Sequence, residues 1–325
     1  MTRQDYLAQL FAEDADYTRL RAFLWEYQST ENPIVRQYCR LLGNAAPTFL
    51  PIRLFKDFLL KAGGDWQPQA IFESSGTTGQ TPSRHALREP AIYERTAVAG
   101  FFRFFPQKNP QQRYHIFALL PNYLERGASS LVYMVHRWMA HFGTPESGFF
   151  LYDFAALDAA MRQAAASDTP ILLIGVTFAL LDFSEQFPQK LPENAIVIET
   201  GGMKGRKEEL TRPQLHALLR SGFGVTHVAS EYGMTELTSQ AYAPANGRFS
   251  PPPWLQVHIS DLHLPDLAQP IGTTGRICLT DFANIDTCAF IATDDLGKLH
   301  PDGTFEVLGR IDTAEMRGCS LLYAG

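Results

Sequence analysis

At 325 residues the chain is long enough for about two domains or one large α/β unit. A hydrophobic fraction of 45% with 19% charged residues is that of an ordinary globular protein with a sizeable core. The net charge of −6 argues against a nucleic-acid binder, which needs a basic face. Its cysteines, Cys39, Cys278, Cys288 and Cys319, form neither a CxxC pair nor a zinc-like spacing. The N-terminus lacks a signal-like apolar stretch, and no apolar run reaches the roughly 18 residues of a membrane span. A reduced, soluble, cytoplasmic protein is the expectation.

Up to about Gly64 the pattern is helical, with Leu7, Leu10 and Phe11 on one face, and Ile52 to Lys56 opens a further helix after Pro47 and Pro51. Helices are then predicted from near Ala91, Ser129, Ala155 and Glu208. Strands are predicted at Ile116 to Leu120, Ile171 to Ile174, Ala195 to Ile198 and Val225 to Ala229. Short apolar runs separated by helices predict a sheet with helices on both faces, and ligands of such sheets sit beyond the carboxyl ends of the strands. From Pro251 the character changes. Leu255 to Ile259, Gly275 to Asp281, Ala289 to Thr293 and Thr304 to Leu308 read as short strands, with a hairpin turn at Asp302-Gly303. The predicted division is an α/β body over 1–250 and a β-rich subdomain over 251–325.

Three clusters carry the chemistry. The first, Ser74-Ser75-Gly76-Thr77-Thr78-Gly79, follows the apolar run Ala70-Ile71-Phe72. Its glycines let successive N–H groups point into one concavity, and its hydroxyls add donors for phosphate oxygens. A plain Ser/Thr/Gly surface loop is the competing reading, and no GxxxxGK[ST] P-loop occurs. The second is Glu231-Tyr232-Gly233-Met234-Thr235-Glu236. Tyr232 offers a flat ring for a base, Gly233 permits close approach, and Glu236 is a hard oxygen ligand suited to Mg2+. A buried tyrosine and a solvated glutamate would serve structure equally well. The third comprises Asp294-Asp295 and Gly309-Arg310. Asp295 can accept from both ribose hydroxyls and Arg310 can donate to ribose or phosphate, although a turn and a surface ion pair fit too. Gly201 and Gly202 follow a predicted strand, as Gly233 does, so both segments can line one crevice.

In this order the three clusters resemble the signature set of the adenylate-forming superfamily. Further stretches narrow the likeness: Leu119 to Arg126 with Ser129 to Met134, Glu199 to Arg206, Glu231 to Gln240, and Arg317-Gly318-Cys319-Ser320-Leu321. Together they resemble the acyl-protein synthetases, the LuxE-like family, whose bioluminescence members serve a fatty-acid reductase complex. The likeness runs from about Phe55 to Leu322. It implies an α/β adenylate-forming large-domain fold with a β-rich C-terminal subdomain and without the mobile lid domain of the wider superfamily. It implies an AMP-forming ligase using ATP and Mg2+ to activate a fatty or other hydrophobic carboxylic acid, with transfer of the acyl group to the enzyme's own cysteine. An acyl-reductase or acyltransferase protein is the implied partner.

Carried over by position, Ser74, Ser75, Gly76, Thr77, Thr78 and Gly79 would meet the phosphates and Tyr232 the adenine. Glu236 would meet Mg2+, with Asp295 and Arg310 around the ribose. Gly201, Gly202, Gly233 and Thr235 complete the nucleotide-binding set. Cys319 would be the acyl acceptor, against the plainer reading of a small packing residue. Where the superfamily has proline–lysine after the phosphate loop, this chain runs Thr81-Pro82-Ser83-Arg84, which leaves Arg84 as the replacement cation. Two other readings remain: an acyl-AMP-forming ligase delivering to coenzyme A or a carrier protein, and a non-catalytic nucleotide-binding subunit.

Overall fold

The computed structural model describes residues 1–43, 47–75, 81–121, 128–151, 153–201 and 210–311. Three helices open the chain: α1 (Arg3–Leu10), α2 (Tyr17–Glu31) and α3 (Pro33–Leu42). Each has a side-chain N-cap that satisfies otherwise orphaned amides. Thr2 and Asp5 form a reciprocal capping box, Asp16 accepts from Thr18 and Arg19, and Asn32 accepts from Ile34 and Val35 ahead of Pro33. Gly43, at φ +66°, closes α3 in the left-handed conformation glycine tolerates best. A two-residue strand β1 (Leu50–Pro51) and a single helical turn α4 (Leu54–Asp57) follow. The predicted helix at residues 52–56 is therefore one turn only, and no helix continues to Gly64. Gly63 and Gly64 both adopt positive φ there, which helix cannot accommodate.

An antiparallel hairpin, β2 (Ala70–Glu73) and β3 (Arg84–Leu87), precedes α5 (Pro90–Phe104). The α/β body then runs β4 (His115–Leu119), α6 (Ser130–Phe142), β5 (Gly148–Phe149), α7 (Phe154–Ala164), β6 (Ile171–Val176), α8 (Thr177–Gln186), β7 (Ile196–Thr200), α9 (Arg212–Phe223), β8 (Ala229–Tyr232) and β9 (Ala241–Ala243). Its sheet has the order β5-β4-β6-β7-β8-β9, parallel except for β9. Both faces are covered, so the central strands are apolar throughout. In β4, Ile116 and Ala118 join the core beneath α5 and α6, whereas Phe117 and Leu119 join the core beneath α7, α8 and α9.

The second sheet is built from β10 (Leu255–Ser260), β11 (Thr274–Asp281), β12 (Phe290–Leu299) and β13 (Phe305–Arg310). β12 is shared between two neighbours on one side. Its first half pairs in parallel with β1, and its second half pairs antiparallel with β13 through the turn at Gly303. Helices α1 to α3 cover this sheet, and Leu10, Leu24, Trp25 and Val35 share one core with Leu279, Phe290 and Ile291. The first three helices and the second sheet are thus packed together.

Two further elements differ from expectation, each for its own reason. The predicted strand at Val225–Ala229 is found at Ala229–Tyr232, because Ser230 and Glu231 are polar yet buried against partners on β7. Helix α8 begins directly after β6 with no intervening turn or cap residue, so no boundary marks it in the sequence.

Candidate active site

The carboxyl ends of β7 and β8 lie side by side, with Glu199 opposite Ser230 and Thr200 opposite Glu231. Tyr232 is the last residue of β8. Its ring, only 8% exposed, packs against Phe249 at 5.7 Å and edge-on against Phe305 at 5.5 Å. Its hydroxyl donates to Asp295 Oδ2 at 2.9 Å. Asp295 on β12 and Arg310 on β13 are direct cross-strand partners, and Arg310 Nε lies 3.5 Å from Asp295 Oδ1. Burial pushes the Asp295 carboxyl up, and Arg310 and the Tyr232 hydroxyl oppose that shift. Three positions separated by 63 and 15 residues in sequence therefore meet at one wall, where the Arg310 side chain remains largely exposed.

Glu236 lies in the loop after β8 and is 6% exposed. Burial raises its carboxyl above the usual range, opposed by the Ser83 hydroxyl and by the positive charges of Arg310 and Lys56. The loop is held from beneath. His85 Nδ1 meets the Thr235 carbonyl at 2.8 Å, and Asn284 Nδ2 donates to the Glu236 carbonyl at 2.8 Å. The Asp281 carboxylate accepts from the Thr238 and Ser239 amides at 2.7 and 3.0 Å and from the Ser239 hydroxyl at 2.6 Å. Burial lifts Asp281 to about 6 despite these donors, and lowers His85 to about 4.

The neck of the hydroxyl-rich loop is closed by two bonds. The Ser74 amide donates to the Ser83 carbonyl at 3.0 Å, and the Ser83 amide donates to Ser74 Oγ at 2.9 Å. Ser83 and His85 both turn toward the Thr235–Glu236 loop. Alternation along the chain directs Arg84, between them, to the other side. Among the described residues, Arg310 and Lys56 are the cations whose charge acts on Glu236. Gly201 follows β7 at φ +76° and its carbonyl accepts from the Thr177 hydroxyl at 2.9 Å. A β-carbon on Gly233 would collide with Glu231 Oε1, which accounts for glycine there. Gly76, Thr77, Thr78, Gly79, Gly202 and Cys319 lie outside the described residues, and Ser75 is the last described residue ahead of 76–80.

Residue-by-residue reading of the sequence misses a second set. Glu199 accepts from the Ser230 hydroxyl at 2.5 Å and the Thr177 hydroxyl at 3.1 Å, with Arg212 Nε and His216 Nε2 each at 3.4 Å. Serine and glutamate both address the same nitrogen of His216, so the arrangement is a buried polar knot and not a nucleophile–base relay. The available signal was a carboxylate ending each of two adjacent apolar strands. Elsewhere, burial pushes the thiols of Cys278 and Cys288 up to about 11 and about 12, as for packing residues. His258 is largely enclosed, whereas His227 is exposed ahead of β8.

Solved structures share this architecture. MatB from Rhodopseudomonas palustris with bound ATP superposes with a TM-score of 0.55 at 19% identity, over 74% of this chain and 48% of that one. O-succinylbenzoate coenzyme A synthetase from Bacillus subtilis in complex with AMP gives 0.51 at 17% identity, over 74% and 49%. The chain thus spans about half the length of those structures, and the likeness establishes the fold. Among curated proteins, the long-chain-fatty-acid–luciferin-component ligase of Vibrio harveyi is 24% identical over 335 aligned positions, covering 94% of this chain and 86% of the relative. Its namesake from Aliivibrio fischeri is 26% identical over 142 positions, 39% and 37% of the two chains. The model of the family described as "Acyl-protein synthetase, LuxE" matches residues 45–324, a span that takes in the hydroxyl loop, the Tyr232–Asp295–Arg310 wall and Glu236 alike; the chain belongs to that family.

Proposed function

We propose that this protein activates a fatty or related hydrophobic carboxylic acid with ATP and transfers the acyl group to its own Cys319. The observation that carries this reading is the Tyr232–Asp295–Arg310 contact at the carboxyl end of β8, where α/β sheets bind ligands. Asp295 would take the ribose hydroxyls, beside the base at Tyr232. Ser74 to Gly79 would receive the phosphates, with Lys56 and Arg310 balancing their charge.

Glu236 fits Mg2+ by donor chemistry: a hard carboxylate oxygen kept near cations and beside the Ser83 hydroxyl. Among the described residues no three His, Cys, Asp or Glu side chains form a cage, so one carboxylate with phosphate oxygens is the donor set expected. The ion, when bound, would neutralise triphosphate charge. In the first step a carboxylate oxygen of the acid attacks the α-phosphorus, the bond to the β-phosphate oxygen breaks, and pyrophosphate leaves. In the second the Cys319 thiolate attacks the acyl carbonyl, AMP leaves, and the thiol proton goes to solvent. A reductase or transferase protein would then collect the acyl group. Among the described residues no helix is long and apolar enough to cross a membrane, and we place the activity in the cytoplasm.

Acid-dependent exchange of labelled pyrophosphate into ATP tests the first step. Exchange is expected with aliphatic acids and should fall at least tenfold in Asp295→Ala, in line with losing a charged hydrogen-bond partner. Nucleotide binding without exchange for any acid would favour the non-catalytic subunit. Intact mass after incubation with acid and Mg·ATP tests the second step. An acyl adduct absent from Cys319→Ala supports it, whereas product found only with added coenzyme A would redirect the transfer.

A further inference from the structure

Two side chains from outside the loop after β8 grip the peptide groups on either side of the Glu236 Cα. His85, on β3, meets the Thr235 carbonyl through Nδ1 at 2.8 Å; a carbonyl has no proton to give, so Nδ1 donates. Asn284, in the connection between β11 and β12, donates from Nδ2 to the Glu236 carbonyl at 2.8 Å. The first carbonyl belongs to the peptide plane that enters the Glu236 Cα, and the second to the plane that leaves it. Only φ and ψ are soft between two planar peptides, so fixing both planes fixes the direction of the Glu236 Cβ. The Thr287 hydroxyl reaches both His85 Nε2, at 3.2 Å, and Asn284 Oδ1, joining the two grips. All three side chains are buried. Their footing is held in turn by the amino-terminal helices: Gln28 donates to the Asn284 carbonyl and Asn32 to the Thr287 carbonyl, each at 2.8 Å.

We infer that His85 and Asn284 are positioning residues that aim the Glu236 carboxylate at Mg2+. The inference rests on the acid-activating reading above. One carboxylate is the protein's expected share of the ion's ligands, and Mg2+ demands near-octahedral geometry at short range. Turning that one ligand away would remove most of what the protein offers the ion. Ser83, two residues before His85, supplies the remaining constraint through its hydroxyl on the Glu236 carboxyl itself. Backbone direction thus comes from His85 and Asn284, and rotation of the carboxyl from Ser83.

The test is calorimetric binding of ATP, without acid, in excess MgCl2 and again in excess EDTA; the ratio of the two Kd values is the gain due to Mg2+. Glu236→Gln should abolish the gain. Asn284→Ala should cut it about tenfold, as loss of a group that orients a metal ligand does, with the EDTA value staying within about twofold of wild type. In the Glu236→Gln background Asn284→Ala should change the ratio no further, which a general loosening of the fold would not reproduce. His85→Asn, whose amide keeps a donor near the place of Nδ1, should retain most of the gain, and His85→Gln should lose it. If Asn284→Ala does not fold, the contrast between the two His85 variants decides. A wild type whose ATP affinity ignores Mg2+, variants whose ratio stays at the wild-type value, or a further fall in the double variant overturns the inference and leaves acid activation, read by pyrophosphate exchange, standing. No ATP binding by the wild type under either condition overturns both.

Discussion

Glu231 and Tyr232 are neighbours in sequence and face different chemistry, and each makes a measurable claim. The Glu231 carboxyl titrates higher in the folded protein, about 7, than its ordinary 4.5. The native state therefore holds its proton longer than the unfolded chain does. Its contribution is fully present below pH 4.5 and is lost as pH rises through 7. That difference corresponds to about 3 kcal/mol between those limits. Urea unfolding of Glu231→Gln against wild type should show the variant gaining stability by up to that amount between pH 5 and pH 8; an unchanged difference would mean the carboxyl does not titrate in this window. Tyr232→Phe removes the donor to the buried Asp295 and should destabilise by about 1–3 kcal/mol, read from the same unfolding curves. These residues were unequally legible. Tyr232, Glu236, Asp295 and Arg310 stand in recognisable clusters. The roles of Glu199 and Asp281 were not legible, although Glu199 opens one of the family-like stretches, because a buried carboxylate is identified only by the donors, His216 among them, brought to it from other elements.

At the level of elements, apolar strands and capped helices announced themselves, and the misses have causes. β8 ends in polar residues satisfied across the sheet, which a hydrophobic pattern cannot foresee. β2 and β3 flank the hydroxyl loop as a hairpin whose short strands carry little apolar alternation. β12 carries the greatest constraint. At Gly297 the register with β13 shifts, and a β-carbon would lie 2.6 Å from both the Glu306 carbonyl and Ile277 Cδ1. Gly297→Ala should therefore cost about 1–3 kcal/mol, seen as a lower denaturant midpoint. Its effect should reach nucleotide affinity as well, since Asp295 lies two residues away on the same strand. In α2, Asp16→Ala removes an acceptor for two amides and should cost about 1 kcal/mol with no effect on ligand binding.

Over the whole molecule, the helical first 43 residues belong physically to the last third of the chain. Gln28 is fully buried, donates to the Asn284 and Ile285 carbonyls and accepts from the Ala289 amide. Arg3 forks onto Asp286 and reaches Glu89. Gln28→Ala would strand three backbone groups, and a loss of about 2–4 kcal/mol is expected in thermal or urea unfolding. The sequence showed helices at one end and strands at the other. It did not show that they share a core, because periodicity reports which face is buried and not what covers it.

That junction carries a consequence for biogenesis. Gln28 and its partner Asn284 are 256 positions apart. A ribosome working at roughly 5–20 residues per second needs on the order of tens of seconds to span that interval. Throughout it the amphipathic stripe of the nascent amino-terminal helices has emerged without the surface that will sheathe it. Translation thus creates an extended period of stickiness, in which a holdase finds its natural customer before docking becomes feasible.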